Sequence, residues 1–560
     1  MKKLRSVFEP GSARWALRRA EWSVIGLTEE DMKKPKIAVV NTSSELAACF
    51  AHLDQIALKM KEAIRAAGGV PFEVRTAAPS DFVTSAGHKG GYILSARDLI
   101  VNDIEVIVEG AMLDGMVCLA SCDKTVPGQL MAAARLNIPT IVVVCGYQPS
   151  GTFQGEHIDI EDLWIQAVHR ETGRNQLSIA DVNGMSQEAI KGPGVCAGMG
   201  TANSMHIVTE ALGMALPGST PVLANSEKMW EAVQASGERI VQMVWEDVKP
   251  RDILVPEAFE NAVMTALSVC GSINTVKHLQ ALAAEAKLNI DVYRLFEKYA
   301  DKIPVLAAVR PNGKHFIEEF EEAGGALAVM KQLEAFLHTD VKTVSGKTIK
   351  EHLYDVKVKN EEVIRPVNNA FSYKPCIVLI RGSLAPNTGI VKLSVMDDRK
   401  LQFTGPAIVY NSTEEAVQGV HKGEIQEGHV VVLRGLGPKG TPGMGMASSF
   451  VFALDGAGLG GKVALVTDGQ QSGLSNKGLV VNEVSPEAAE GGPIALVENG
   501  DIISIDVEKR EVNLLVPDEE LEKRRARFND IPWTNEQGWL QIYQRLVRPL
   551  PETGGTLIKD

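Results

Sequence analysis

The stretch MLDGMVCLASCDKTVPGQLMAAARLNIPTIVVVC, Met112–Cys145, contains one complete structural unit. An apolar run from Met112 to Ala120 gives way to a polar turn, Ser121 to Lys124. A periodic apolar segment, Thr125 to Asn137, follows, and Pro139 to Cys145 is again continuously apolar. Short apolar runs bounded by turn residues read as strands, and spacing near the helical repeat reads as a helix, so the stretch predicts strand, helix, strand. The alternation extends toward the N-terminus, with strands at Lys36 to Thr42 and Val70 to Thr76 and helices near Leu53 to Ala67 and Leu94 to Glu109. That order implies a doubly wound, mostly parallel sheet. Such sheets bind ligands outside the carboxyl ends of their strands. Cys49 lies just past the first strand, Asp81 past the second, and Cys122 with Asp123 past the third. Cys196, in G-P-G-V-C-A-G-M-G-T, precedes a periodic segment running to about Leu216, which puts its sulfur near a helix N-terminus where a thiolate is favoured. Three cysteines in glycine-rich or polar turns, one followed directly by Asp123 and Lys124, read as an open metal-cluster site.

The chain has 560 residues, beyond the length at which one core usually stops growing, so two or more domains are expected. A net charge of −13 argues against general nucleic-acid binding, which needs a basic surface. Seven cysteines, an odd number, fit a reducing compartment better than a disulfide framework, and cytoplasm is the expected location. The basic N-terminus raises the question of a transit peptide, but Glu9, Pro10 and Glu21 interrupt that pattern. No uninterrupted apolar run reaches the ~18 residues of a spanning helix, so no membrane partner is expected.

After about Val358 the texture changes to short strands between glycine turns: Cys376 to Arg381, Ile390 to Val395, His429 to Arg434, Lys462 to Thr467, Pro493 to Glu498 and Ile502 to Val507. This predicts a β-rich, barrel-like domain with few helices. The expected division is 1–360 and 361–560, with a linker within Val356 to Asn369. Asp518 to Arg527 reads as a solvated helix face. Gly435-Leu436-Gly437-Pro438-Lys439-Gly440 matches a dinucleotide fingerprint, but Pro438 and Pro442 remove N–H groups that pyrophosphate would need, and no βαβ unit surrounds it. Ser472, in T-D-G-Q-Q-S-G, reads from its surroundings as an ordinary turn residue.

Taken together, C-D-K-T-V-P-G-Q-L-M-A-A-A-R-L-N-I-P, C-A-G-M-G-T-A-N-S-M, C-G-S-I-N-T-V-K-H-L, G-P-K-G-T-P-G-M, T-D-G-Q-Q-S-G and V-S-P-E-A-A-E-G-G-P resemble the dihydroxy-acid and 6-phosphogluconate dehydratase family, which includes sugar-acid dehydratases. The match covers nearly the whole chain. The resemblance implies a hydro-lyase that converts a 2,3-dihydroxy carboxylic acid to a 2-keto acid. It implies that Cys49, Cys122 and Cys196 hold a [2Fe–2S] cluster, that Asp81 and Asp123 bind Mg²⁺, that Lys124 is carbamylated as a further ligand, and that Ser472 is the base. It also implies a small polyhydroxy-acid substrate and a homodimer or homotetramer. Cys118, Cys145, Cys270 and Cys376 are assigned to the core instead.

The departures from the family pattern lie around the substrate. Where the family reads G-P-G-M-P-E-M, with its glutamate on Mg²⁺, this chain has Met446, a poor partner for a hard cation. Gln470 and Gln471 replace an arginine and an aromatic residue, and Ala47-Ala48 replaces asparagine-proline. Water or another acidic group fills the Met446 position, or the Mg²⁺ site is weakened. Three alternatives stand beside the leading expectation: a sugar-acid dehydratase using the same mechanism, a non-catalytic cluster-binding sensor, and a hydrolase with its nucleophile in Gly194-Val195-Cys196-Ala197-Gly198, a motif that no apolar strand precedes.

Overall fold

The computed structural model describes residues 3–87, 90–395, 399–527 and 536–557. The first sheet consists of β1 (Lys36–Asn41), β2 (Val70–Arg75), β3 (Gly115–Ala120) and β4 (Thr140–Val144). All pairs are parallel, in the order β2-β1-β3-β4. The helices Leu53–Ala66, Gly91–Gly110 and Thr125–Leu136 connect them, as the apolar periodicity predicts. β1, β3 and β4 are buried along their whole length, which is why they read as continuous apolar runs rather than alternating ones. Glycines let the covering helices come close. A Cβ on Gly128 would stand 2.9 Å from the Arg97 carbonyl of the neighbouring helix. A short hairpin of β5 (Gly151–Phe153) and β6 (Glu156–Ile158) follows.

The second sheet has eight strands: β7 (Ile377–Ile380), β8 (Thr388–Lys392), β9 (Gln402–Tyr410), β10 (Val430–Leu433), β11 (Ala464–Thr467), β12 (Leu479–Ser485), β13 (Ile502–Asp506) and β14 (Glu511–Leu514). Their order is β14-β13-β9-β10-β11-β12-β8-β7, with β9 to β12 mutually parallel and the flanking pairs antiparallel. The outer strands approach each other where Arg381 bridges to Glu511, so the sheet is a nearly closed barrel. Alternate residues of the central strands face opposite sides. Val430, Val432 and Val466 join one cluster with Ile380, Val481 and Ile503. Val431, Leu433 and Leu465 pack the other way, against Phe450 and Leu454 of the helix Ser448–Gly456 and Ala416 of the helix Thr413–His421.

The α/β first domain and barrel-like second domain agree with the expected fold class. Three details differ. Pro493 to Glu498 is not a strand: Pro493–Leu496 forms a 3₁₀ turn, started by a proline whose fixed φ suits a helical first position. β9, β12 and β14 are additional strands, β9 escaping notice because Gly405-Pro406 interrupts its apolar pattern. Helices are not scarce either: Thr413–His421, Ser448–Gly456, Asp518–Arg527 and Trp539–Leu546 all belong to this half. Among the described residues no helix is long and apolar enough to cross a membrane.

The helix Glu227–Glu246 crosses Leu53–Ala66 at Gly237, where an added Cβ would meet Ala63 Cβ at 2.5 Å and Met60 Sδ at 3.2 Å. Helix propensity alone favours Gly237→Ala by about 1 kcal/mol. The steric conflict outweighs it, and the substitution should destabilise the chain by about 1–3 kcal/mol in urea unfolding; a stabilised variant would contradict the crossing.

Candidate active site

The turns after β2 and β3 open onto one cavity of about 760 Å³ between the two domains. Asp81, Cys122, Asp123 and Cys196 line it from the first domain, and Met446, Ser472 and Leu474 from the second. Two of the expected residues stand behind this wall. Cys49 faces the sulfur of Cys122. Lys124 is fully buried, with Nζ 3.1 Å from Asp81 Oδ2 and 3.7 Å from Asp123 Oδ2. The seven residues singled out in the sequence therefore gather in one region. Among the described residues no three His, Cys, Asp or Glu side chains converge to hold a single metal ion, so the donors form a thiol group beside a carboxylate–lysine group.

Local hydrogen bonds fix the turns that carry these groups. Past β3, Thr125 donates from its backbone N and from Oγ1 to the Cys122 carbonyl, each at 3.1 Å, which starts the Thr125–Leu136 helix directly behind the thiol. Ser121 Oγ donates to the Cys49 carbonyl, joining the turns after β1 and β3. His206 Nε2 donates to the Ser121 carbonyl at 2.9 Å, and burial pulls the imidazole down to about 4, so it serves as a neutral strut. Gly194 N donates to the Ala48 carbonyl at 3.1 Å, linking the Cys49 and Cys196 loops. Asn203, in the first turn of the helix Thr201–Ala211, donates to the carbonyls of Cys196 and Gly198, both at 2.8 Å.

So many acidic groups in a buried place oppose one another's ionisation. Burial and the neighbouring Asp81 push the Asp123 carboxyl up to about 7, although Lys124 opposes them. Contact with Cys49, burial and the nearby carboxylates hold the Cys122 thiol well above its usual range; burial, Asp123 and Cys49 do the same to Cys196. Burial works to lower Lys124, but Asp81 and Asp123 more than offset it and keep the ammonium protonated. Asp81 Oδ1 and Asn203 Oδ1 are buried without a hydrogen-bond partner. Soft thiols beside carboxylates, with buried oxygens left without a partner, are a donor set suited to cations, because added positive charge offsets both the burial and the mutual repulsion that raise these pKa values.

Ser472 reaches this region from the loop after β11. Its backbone N donates to Ser448 Oγ at 2.8 Å, and its Oγ accepts from Leu474 N at 3.3 Å. The next residue has no room for a side chain: a Cβ on Gly473 would lie 2.5 Å from Thr201 N and 2.8 Å from Ser272 Oγ. Met446 lies in the cavity wall, its carbonyl accepting from Thr413 Oγ1 at 3.0 Å, and among the described residues Glu414 is the other carboxylate in the lining besides Asp81 and Asp123. The glycine-rich loop from Gly435 is committed elsewhere. Asp468 accepts from Gly435 N and Leu436 N, and Glu487 from Lys439 N and Gly440 N, so these amides are not available to a pyrophosphate. Val195 makes only an isolated bridge to Tyr147, so no strand leads into Cys196.

Several lining residues escaped the sequence reading. Thr201, whose hydroxyl favours the ionised form of Asp123, lies inside the quoted C-A-G-M-G-T motif but was given no role. Phe82 and Trp164 meet edge to face with ring centroids 5.6 Å apart, and with Val417, Leu436 and Leu474 make much of the wall apolar. Gln418 and His421 come from the Thr413–His421 helix, which no local pattern had suggested.

Family profiles described as dihydroxy-acid/6-phosphogluconate dehydratase, N-terminal and C-terminal, match residues 34–352 and 362–554. The chain is 40% identical to a protein named dihydroxy-acid dehydratase from Ignicoccus hospitalis, over 97% of this chain and 98% of that one. It is 42% identical to one of the same name from Pyrococcus abyssi, over 95% and 96% of the two chains. For the Methanosarcina barkeri protein of that name the identity is 41%, over 96% and 97%.

The close approach at Gly473 makes it a sensitive probe of the cavity's construction. Gly473→Ala should cost about 1–3 kcal/mol in urea unfolding, despite lying in a loop; an unchanged midpoint would show that the serine loop does not abut Thr201.

Proposed function

The chain belongs to the dihydroxy-acid/6-phosphogluconate dehydratase family and is a dehydratase, a hydro-lyase; on that premise we propose that it converts a 2,3-dihydroxy carboxylic acid to a 2-keto acid in the cavity between its domains. The observation that carries this reading is the placement of the three thiols and the Asp81–Lys124–Asp123 group on one side of that cavity and Ser472 on the other. When bound, a [2Fe–2S] cluster on Cys49, Cys122 and Cys196 would supply a Lewis acid for the departing hydroxyl, and Mg²⁺ on Asp81 and Asp123 a positive charge for the substrate carboxylate.

The residues themselves perform the rest. Ser472 Oγ takes the proton from C2, and the hydrogen bond from Leu474 N favours that oxygen in its anionic form. The C2–H electrons form the C2–C3 double bond as the C3–O bond breaks, the departing hydroxide takes the proton that Ser472 now carries and leaves as water, and the enol tautomerises to the 2-keto acid. Lys124 as an ammonium competes with a dication for Asp81 and Asp123; as a carbamate it would contribute an oxygen to the same place. Met446 gives the metal side no oxygen, which leaves Asp81, Asp123 and Lys124 as its protein groups, with Glu414 the further carboxylate in the wall. The apolar wall of Phe82, Trp164, Val417, Leu436 and Leu474 favours a substrate with an apolar tail over a sugar acid, whose extra hydroxyls would lose hydrogen bonds there.

Anaerobic purification should give a coloured protein with about two irons and two sulfides per chain, forming 2-keto acid from short 2,3-dihydroxy acids. Ser472→Ala is expected to lower kcat by about 10²- to 10⁴-fold with iron content unchanged. Cys122→Ser is expected to lose iron and colour. Faster turnover of sugar acids would favour that substrate class, and colour without turnover of either would favour a sensor.

A further inference from the structure

A buried ion pair between the domains has no part in the chemistry above. Lys277 lies on the helix Asn274–Glu285 of the first domain and Glu483 in β12 of the second; Nζ stands 2.5 Å from Oε1 and neither side chain is exposed. Stability alone is a weak reason for such a pair, because apolar side chains of similar volume usually serve as well. Glu483 is also held at φ 55°, a left-handed conformation that a non-glycine residue adopts only when its surroundings require it.

The same ammonium donates to Asn274 Oδ1 at 2.5 Å. A lysine has donors and no acceptor, so it pins the amide oxygen and turns Asn274 Nδ2 the other way. Nδ2 donates to Thr201 Oγ1 at 2.9 Å and reaches the Gln471 carbonyl at 3.5 Å. Thr201, accepting there and paired with Ser272 Oγ at 3.0 Å, lies in the cavity wall that Asp123 also lines. Gln471 immediately precedes Ser472, and its side-chain oxygen accepts from Asn482 Nδ2 at 2.9 Å. Glu483 N donates to the Gly469 carbonyl at 3.0 Å, so the residue that binds Lys277 also holds the start of the serine loop.

We propose that the Lys277–Glu483 pair is a positioning device: it sets the donor direction of Asn274, whose amide then holds Thr201 in the cavity wall and the Ser472 loop in register. The catalytic part of this inference rests on the dehydratase reading; the structural part does not.

Replacing both charges at once, Lys277→Met with Glu483→Leu, avoids leaving an unpaired charge. The double variant should unfold cooperatively, with kcat about 10- to 100-fold lower and KM little changed, as for a site whose groups are slightly misplaced. Its deuterium exchange should rise in the peptides covering residues 196–204 and 467–478 and not elsewhere. Asn274→Ala, which leaves the ion pair in place, should reproduce both effects, and combining it with the pair replacement should add little. Wild-type kcat and wild-type exchange in Asn274→Ala would overturn the proposal, and this single variant decides the matter if the double variant does not fold. Uniformly raised exchange, with activity falling only in step with the folded fraction, would also overturn it. Should the unaltered protein turn over no 2,3-dihydroxy acid, the functional reading falls while the exchange measurement still judges the positioning role.

Discussion

A fully buried ammonium between two carboxylates, at the head of a helix that follows a parallel strand, is the constraint on which this molecule's cavity depends. Lys124 cannot be solvated where it stands, so Asp81 and Asp123 must face it. That requirement brings the turn after β2 against the turn after β3. The thiols of Cys49, Cys122 and Cys196 are then crowded into the same acidic region. The local sheet makes this arrangement possible: parallel strands end at the same side, and each turn beyond them projects its side chains into a shared space.

The second domain completes the site by close contact rather than by charge. Its serine loop approaches the first turn of the Thr201–Ala211 helix so closely that only a hydrogen fits at position 473. One face of the barrel's strands packs on the helices that supply Thr413 and Ser448. These two residues tether Met446 and Ser472 respectively. The cavity wall is thus built from both halves of the chain, and the interface between domains is also the candidate site.

Much of the first domain was legible because its signals are local. A buried parallel strand is a short apolar run, and the turn residues after it are immediately adjacent in sequence, so Cys49, Asp81 and Cys122 could be placed past the first three strands from order alone. The barrel was harder to read. Gly405-Pro406 obscured β9, and Pro493 in an apolar run imitated a strand. Thr201 went unassigned because its relation to Asp123 links residues far apart in the chain, as does the pairing of Lys277 with Glu483. Ser472 carried no local distinction from an ordinary turn residue; its place in the cavity follows from the packing of Gly473.

The bridge between Arg381 and Glu511 joins the first and last strands of the second domain. A ribosome must therefore finish nearly the whole domain before its sheet can close. Until then the outer strands present unpaired amides and carbonyls, which are templates for intermolecular pairing. Among the described residues, closure pairs the two edges only where Arg381 meets Glu511, so β14 caps part of the template that the first outer strand presents.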